Sequence, residues 1–306
     1  MKKVTQAVIL AGGQGIRLRP LTLDTPKPMV AVNGRPFIEY LIDLLKGNGI
    51  EEIVLLLGYL PEKIIEHLGD GSKFGVRIKY SIGKVEDYTG TRVRNAKDLL
   101  EDAFLLLYCD NYVPLNLKKL FNFHRKGKAL ATVTVYQDTT GASVSRNNIF
   151  VDEATGYVMR YGKKGEDPSF NGNDIGFFIV HKEIVDSMPS ENFWFEHTTL
   201  PWLIARGALR GFTTRHPYYS LSDAERLKVT EKFLKPKKVV FLDRDGVINK
   251  RAAKSDYVKR WEEFQFLGDA IEAMQSLVNH GYDIYIVSNQ AGIARGMMTE
   301  NDLRTI

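Results

Sequence analysis

Residues 7–10 are apolar without a break, Ala7-Val8-Ile9-Leu10, and run straight into Ala11-Gly12-Gly13-Gln14-Gly15. A run of that length with no polar alternation, closed by a glycine turn, predicts a strand buried on both faces. The same signature returns at 52–57 and at 104–109. Between these runs the period changes. Over 36–46, Phe37, Leu41, Leu44 and Leu45 fall on one helical face, with Pro36 at the start and Gly47 at the stop. Further helices are predicted at 61–68, 95–103, 117–126, 198–205 and 222–233, the last capped by Ser222. Further strands are predicted at 76–81, 129–136, 174–181 and 208–216. Segment 143–161 differs, with shorter strands separated by turn signals such as Asp152-Glu153-Ala154-Thr155-Gly156. Strand and helix in turn, with strands apolar on both faces, predict an α/β fold whose mostly parallel sheet is covered on both sides.

Lys235-Pro236-Lys237-Lys238 then breaks the last helix, and a new apolar strand opens at 239–242. Two domains are expected, 1–234 and 239–306, and a chain of 306 residues is long enough to give each its own core.

The first glycine turn carries the clearest chemistry. Gly12, Gly13 and Gly15 let the backbone approach a ligand, and successive N–H groups in such a turn cradle an anion. Arg17 and Lys27, ten residues apart, add two positive charges, so a polyphosphate is the first candidate ligand. Neither better-known glycine loop fits. No Lys-Ser or Lys-Thr follows at P-loop spacing, and Leu18 stands where a dinucleotide fingerprint wants a small residue. Asp110 follows the apolar run 104–109, a place from which a carboxylate can hold Mg²⁺ against phosphates.

The formal charge of +5 is spread along the chain, and the short clusters at 235–238 and 250–254 lack the aromatic interleaving of a nucleic-acid arm. Anionic small molecules suit that balance; nucleic acid and membrane partners do not. No window approaches a membrane span and no secretory signal precedes the first strand, so a cytoplasmic location is expected. Cys109 is the one cysteine, expected as a buried inert thiol.

Over residues 10–22 and 25–29 the sequence Leu-Ala-Gly-Gly-x-Gly-x-Arg-Leu-x-Pro-Leu-Thr, then Pro-Lys-Pro-Met, resembles the sugar-phosphate nucleotidyltransferases. The resemblance implies a Rossmann-like domain in which Leu10, Ala11, Gly12, Gly13 and Gly15 bind the nucleotide. It implies Arg17 on the triphosphate and leaving pyrophosphate, Lys27 on the phosphates at the reacting centre, and Asp110 on Mg²⁺. The stretch 88–94 is similar to the family's Leu-Gly-Thr-x-Gly, which lies against the base; Gly90 and Thr91 match, and Val93 replaces the second glycine. Asp174 and Gly176 stand at the family's Asn-x-Gly, Glu196 at its Glu before a helix, and Lys164 where a sugar-phosphate-side lysine falls, which implies sugar contacts for all four. One departure is clear. Ser220 occupies the place of the family's second metal-ligating Asp.

The implied reaction is in-line attack of a sugar 1-phosphate on the alpha phosphorus of a nucleoside triphosphate, giving a nucleotide-sugar and pyrophosphate. A different sugar or base, or a non-catalytic nucleotidyltransferase-like binding module, are the alternatives.

In the second domain a strand runs into Asp243-Arg244-Asp245-Gly246. Two carboxylates one residue apart can divide labour, Asp243 as nucleophile on phosphorus and Asp245 as acid/base. The pattern resembles the haloacid dehalogenase phosphatases, in which both aspartates also hold Mg²⁺, and Ser288 after the next strand matches their phosphate-binding Ser/Thr. Tyr257, 264–267 and 289–296 are most similar to heptose 1,7-bisphosphate phosphatases. That family carries a Lys and another acidic pair beyond its second strand, whereas this sequence stops at Ile306. An incomplete haloacid dehalogenase-like α/β segment without phosphatase turnover is therefore expected. The pairing of resemblances implies GTP and D-glycero-α-D-manno-heptose 1-phosphate as transferase substrates.

Overall fold

A computed structural model describes residues 4–138, 147–254 and 256–306. It divides into two compact units, Met1–Leu234 and Lys235–Ile306.

The first unit is built on seven strands: β1 (Gln6–Ala11), β2 (Glu52–Leu57), β3 (Arg77–Ile82), β4 (Ala103–Tyr108), β5 (Ala131–Tyr136), β6 (Asn173–His181) and β7 (Leu209–Thr214). They form one sheet in the order β7-β5-β6-β4-β1-β2-β3. All its pairings are parallel except those of β6, which runs antiparallel to both β4 and β5. The mostly parallel sheet follows from strands with no polar face. Ala7, Ile9 and Ala11 of β1 enter one apolar cluster; Val8 and Leu10 enter the other.

Each cluster is closed by helices. On the first side lie Phe37, Leu41 and Leu45 of α1 (Phe37–Gly47), Ile64 and Leu68 of α2 (Pro61–Leu68), and Leu117 and Leu120 of α4 (Leu117–Arg125). On the second lie Val93 of α3 (Thr89–Asn95) and Leu200 and Leu203 of α5 (Leu200–Ala205). Each fully buried side chain of this size contributes about 1.5–3 kcal/mol, so the two clusters hold the strand ends rigidly.

Two local expectations are corrected. The helix expected over 95–103 lies earlier, at Thr89–Asn95, and a short turn at Lys97–Leu99 carries the chain into β4. Ala96 and Leu100 are buried on either side of that turn. The cap of α6 (Ala224–Leu234) is Asp223 rather than Ser222: Asp223 Oδ1 accepts the Arg226 N–H at 2.9 Å, while the Ser222 hydroxyl donates to Asp223 Oδ2 at 2.8 Å. A carboxylate there satisfies an orphan amide and favours the positive end of the helix. In segment 143–161, Ile149–Val151 pairs antiparallel with Val158–Tyr161, and 143–146 lie outside the described residues.

In the second unit β8 (Lys238–Asp243) and β9 (Tyr282–Val287) pair in parallel, and α7 (Ala270–Asn279) packs on β9. Two short helices follow, α8 (Ala291–Ala294) and α9 (Glu300–Thr305), the latter closed by a Thr299–Asp302 capping box. No helix among the described residues is long and apolar enough to cross a membrane.

Candidate active site

From β1 the chain moves outward to β2 and β3, then returns to place β4 on the other edge of β1. The connections after β1 and β4 therefore diverge, and a crevice opens at their carboxyl ends, where open α/β sheets take their ligands. A cleft of about 570 Å³ lies there, lined by Leu10, Gly12, Gly13, Gly15, Arg17, Lys27, Asp110 and Glu196 among others. Separate segments, up to 186 residues apart, have been brought together by one topological feature.

Gly15 adopts φ +63°, a left-handed conformation, and a side chain there would meet Thr22 and the Lys27 stem at 3.1 and 3.2 Å. The Thr22 hydroxyl and Leu18 N–H both donate to the Gly15 carbonyl, at 2.8 and 2.9 Å, and fix the loop. Gly13 faces open space. Lys27 sits on a short turn (Lys27–Met29) preset by Pro26 and Pro28, and its ammonium is ion-paired with Asp110. Arg17 is exposed on the cleft wall.

Ser220 lies beside this pair. It is register partner to Asn111, and the Leu221 N–H donates to the Asp110 carbonyl at 2.9 Å. The Ser220 hydroxyl donates to that of Ser222 at 3.2 Å, not to a charged group. Asp223, the nearest acid in that turn, serves as helix cap; the Arg226 amide holds its carboxyl below the usual range, with Arg17 adding to the effect at longer reach. Among the described residues no group of three His, Cys, Asp or Glu converges.

Hydroxyls also gather round two half-buried acids, Glu196 in the cleft lining and Asp174 outside it. Glu196 accepts from Tyr108 Oη and, at 2.7 Å, from Thr89 Oγ1. Asp174 accepts the Gly176 N–H at 2.8 Å and Tyr161 Oη at 3.2 Å. Burial pushes the Asp174 carboxyl up to about 7, and the charge of Glu196 adds to this. The register of β6 against β5 shifts between Asp174 and Phe178, and Gly176 at φ +76° turns the bulge and leaves room for the Tyr108 ring. Lys164 is exposed on a loop, outside the cleft lining, close enough for its charge to favour ionised Asp174. Burial raises the Cys109 thiol to about 12, so it holds no thiolate at neutral pH.

Residues 6–186 match the model of the nucleotidyl transferase family. The chain belongs to that family. It is similar to UTP–glucose-1-phosphate uridylyltransferase of Synechocystis sp., 30% identical in an alignment of 202 positions that covers 60% of this chain and 51% of the relative. It is similar also to mannose-1-phosphate guanylyltransferase of Mycobacterium tuberculosis, 32% identical over 66% of this chain and 56% of the relative. The chain thus spans about half the length of these curated relatives. Among solved structures, HddC from Yersinia pseudotuberculosis complexed with GMP-PN superposes with a TM-score of 0.64 at 25% identity, covering 76% of this chain and 100% of that one.

Not every residue that resembles the family's nucleotide contacts lines the cleft. Ala11 is buried at the end of β1. Gly90 and Thr91 face Phe193: their N–H groups donate to its carbonyl at 3.1 and 3.3 Å, and the Thr91 hydroxyl accepts its N–H at 3.0 Å. A side chain at Gly90 would strike the Phe193 ring.

A residue the sequence reading missed, Arg92, takes the floor instead. Its guanidinium donates to the carbonyls of Leu57, Lys84, Val85 and Gly12, at 2.6, 2.7, 3.2 and 3.3 Å, and so ties β2, the loop after β3 and the glycine loop together. Burial pulls its pKa below the usual value, though a guanidinium stays charged. Gly12 and Gly58 make room for it; a side chain at Gly58 would lie 2.6 Å from its nitrogens. Only those two glycines hint at this in the sequence, because an Arg inside a polar helix reads as surface.

In the second unit, Asp245 and Ser288 approach at 3.4 Å, with Gln290 Nε2 donating to Asp245 at 2.7 Å. Asp245 also carries an ion pair with Arg244 at 3.0 Å and accepts from Asn249 at 3.0 Å. Asp243 is exposed at the end of β8.

Proposed function

We propose that the first unit transfers a nucleotidyl group from a nucleoside triphosphate, GTP by preference, to a sugar 1-phosphate, D-glycero-α-D-manno-heptose 1-phosphate by preference. The observation that carries the reading is the Lys27–Asp110 ion pair set beside the glycine loop where β1 and β4 diverge. A sugar 1-phosphate oxygen attacks the alpha phosphorus, a P–O bond forms, and the bond to pyrophosphate breaks. Two anions must meet, so the chain's contribution is charge neutralisation and alignment. Arg17 and the loop amides hold the triphosphate and receive the leaving pyrophosphate; Lys27 neutralises charge at the reacting centre. The acceptor oxygen is already deprotonated near neutral pH and no general base is needed.

Mg²⁺ fits one strand-end carboxylate, since it commonly takes one or two carboxylates and completes its shell with substrate oxygens and water. Asp110 would hold it, with Ser220 adding no charge, and the ion would supply positive charge to the phosphates.

The guanine preference is supported by the guanylyltransferase relative and by the GMP-PN complex of HddC. For the second unit we propose a site for a phosphomonoester, in keeping with its resemblance to heptose 1,7-bisphosphate phosphatases and with the approach of Asp245 and Ser288. That resemblance is the reason for preferring a heptose acceptor. The test is pyrophosphate release with Mg²⁺, each of the four nucleoside triphosphates and a panel of sugar 1-phosphates. Turnover with the GTP–heptose pair is the expected maximum. A different best pair revises the substrates, and no turnover with any pair overturns the activity.

A further inference from the structure

Arg92 is a buried cation. It forms part of the cleft lining, yet only 6% of its surface is exposed. Among the described residues no carboxylate comes within ion-pair distance of its guanidinium, whose hydrogen bonds all go to backbone carbonyls. The charges of Asp87 and Glu86 act on it only at longer range, and the Asp87 carboxylate accepts the Lys84 N–H at 2.8 Å instead. The other charges of the lining are Arg17, Lys27, Asp110 and Glu196. Lys27 and Asp110 pair with each other, and two hydroxyls donate to Glu196. A buried charge is costly unless it is paired, so Arg92 favours an anion in the cleft.

The same guanidinium decides where an amide points. The Gly12 carbonyl accepts from Arg92 Nη2 at 3.3 Å and from the Tyr59 N–H at 3.1 Å. Tyr59 follows β2, and Arg92 Nη1 donates to the carbonyl of Leu57 at the end of that strand, so the Gly12 carbonyl is drawn to the β2 side of β1. The Gly12–Gly13 peptide is trans, which sets its N–H opposite its carbonyl. The Gly13 N–H therefore faces away from β2, toward the side on which Asp110 follows β4. No acceptor among the described residues takes it, and Gly13 faces open space. A peptide between two glycines flips with little steric hindrance, and the Arg92 bond is one of the two that hold it.

We propose that Arg92 is a positioning residue for the phosphates of the nucleotide donor. On the transferase reading of this cleft, it locks the Gly12–Gly13 peptide with its amide toward the phosphates, and these supply the negative charge that the guanidinium lacks. It acts through the glycine loop and through space, because carbonyls engage its own N–H groups.

Calorimetric binding of pyrophosphate and of GTP, followed by steady-state turnover, tests the role in Arg92→Ala and Arg92→Lys, with circular dichroism as the control for folding. Arg92→Ala is expected to bind both ligands about tenfold more weakly and by equal factors, because both present phosphates to the loop. Its KM for sugar 1-phosphate stays at the wild-type value. Guanidinium chloride at millimolar concentration restores phosphate affinity to Arg92→Ala by refilling the space with a planar cation, whereas urea, similar in shape but uncharged, does not. Arg92→Lys keeps the charge with fewer donors and shows a smaller loss, again shared by pyrophosphate and GTP. Unaltered pyrophosphate affinity in Arg92→Ala, or in Arg92→Lys where the alanine variant does not fold, overturns the role. So does a loss for GTP without one for pyrophosphate, a sugar 1-phosphate KM that rises as far as that for GTP, or rescue by urea as complete as by guanidinium. Each of these leaves the transferase reading standing. A wild-type protein that binds neither pyrophosphate nor any nucleoside triphosphate overturns that reading, and the role of Arg92 with it.

Discussion

Strands β1 and β8 begin alike and end differently. Each has six residues dominated by one unbroken apolar run, pairs in parallel with a neighbour, and leads into a loop that carries its unit's chemistry. All six residues of β1 are buried; none of β8 is. The difference lies in the layers. β1 has a strand on each edge and helix-backed apolar clusters on both faces, whereas the described partners of β8 amount to β9, on which α7 packs. An apolar run therefore specifies a strand, but the number of elements that cover it decides how rigidly its end is held. The loop after β1 is anchored on a packed core; the loop after β8 is held by local polar contacts around Asp245.

The sharpest way to break this comparison is to remove matched side chains. Leu55→Ala, at a fully buried position in β2, is expected to cost about 2–5 kcal/mol by transfer loss and cavity formation. Ile286→Ala in β9, 58% exposed, is expected to cost less than about 1 kcal/mol. Urea unfolding of the two variants measures both, and equal losses would show that β9 is as well covered as β2.

Next in size is the chemistry anchored on each strand. Lys27→Ala and Arg17→Ala should each slow nucleotidyl transfer at least a hundredfold, about 3 kcal/mol of transition-state stabilisation. Phe241→Ala, on the exposed face of β8, should leave the rate unchanged. Steady-state pyrophosphate release reads all three, and a slow Phe241→Ala enzyme would tie the second unit to the first unit's turnover.

The smallest effect concerns a carboxyl in each unit, with opposite pH signs. Burial raises Asp174 to about 7 from an ordinary 3.8, so the folded state keeps a proton that the unfolded chain has lost. Its favourable contribution is present in acid and is lost as pH climbs from about 4 through about 7. For Asp245 burial acts in the same direction but is outweighed by hydrogen bonds from Asn249, Arg244 and Gln290, which hold the carboxyl below its ordinary value. Its contribution is present at neutral pH and is lost as pH falls below about 4. Asp174→Asn should flatten the stability profile between pH 5 and 7.5 and raise the melting temperature at pH 8. A variant less stable than wild type at pH 8 would mean that ionised Asp174 is favourably held.

Much of the first unit was legible in the sequence because its strands lack a polar face and its glycine loop ends one of them. The parallel pairings, the helices at α1, α2 and α4, and the convergence of the glycine loop, Lys27 and Asp110 all follow from that pattern and from where parallel sheets keep their clefts. What escaped depends on tertiary contacts. Ala96 and Leu100 have helical spacing but flank a turn. Arg92 looks like a surface residue until Gly12 and Gly58 are seen to make space for it. The stacking of Tyr88 on Trp194 joins residues 106 apart and leaves no periodic trace in either segment. Gly90 matches a nucleotide-binding pattern, yet in this chain its amide is satisfied by Phe193.

In the proposed reaction the cleft between β1 and β4 joins a nucleotide to a sugar 1-phosphate. Phosphorus NMR of the protein mixed with Mg²⁺, GTP and heptose 1-phosphate tests it most directly, because it reports the bond that is made. Two coupled resonances of a diphosphate diester are expected together with free pyrophosphate, both absent when Lys27→Ala replaces the wild type. Resonances of GDP and orthophosphate alone, or diester formation at the wild-type rate by Lys27→Ala, would contradict it.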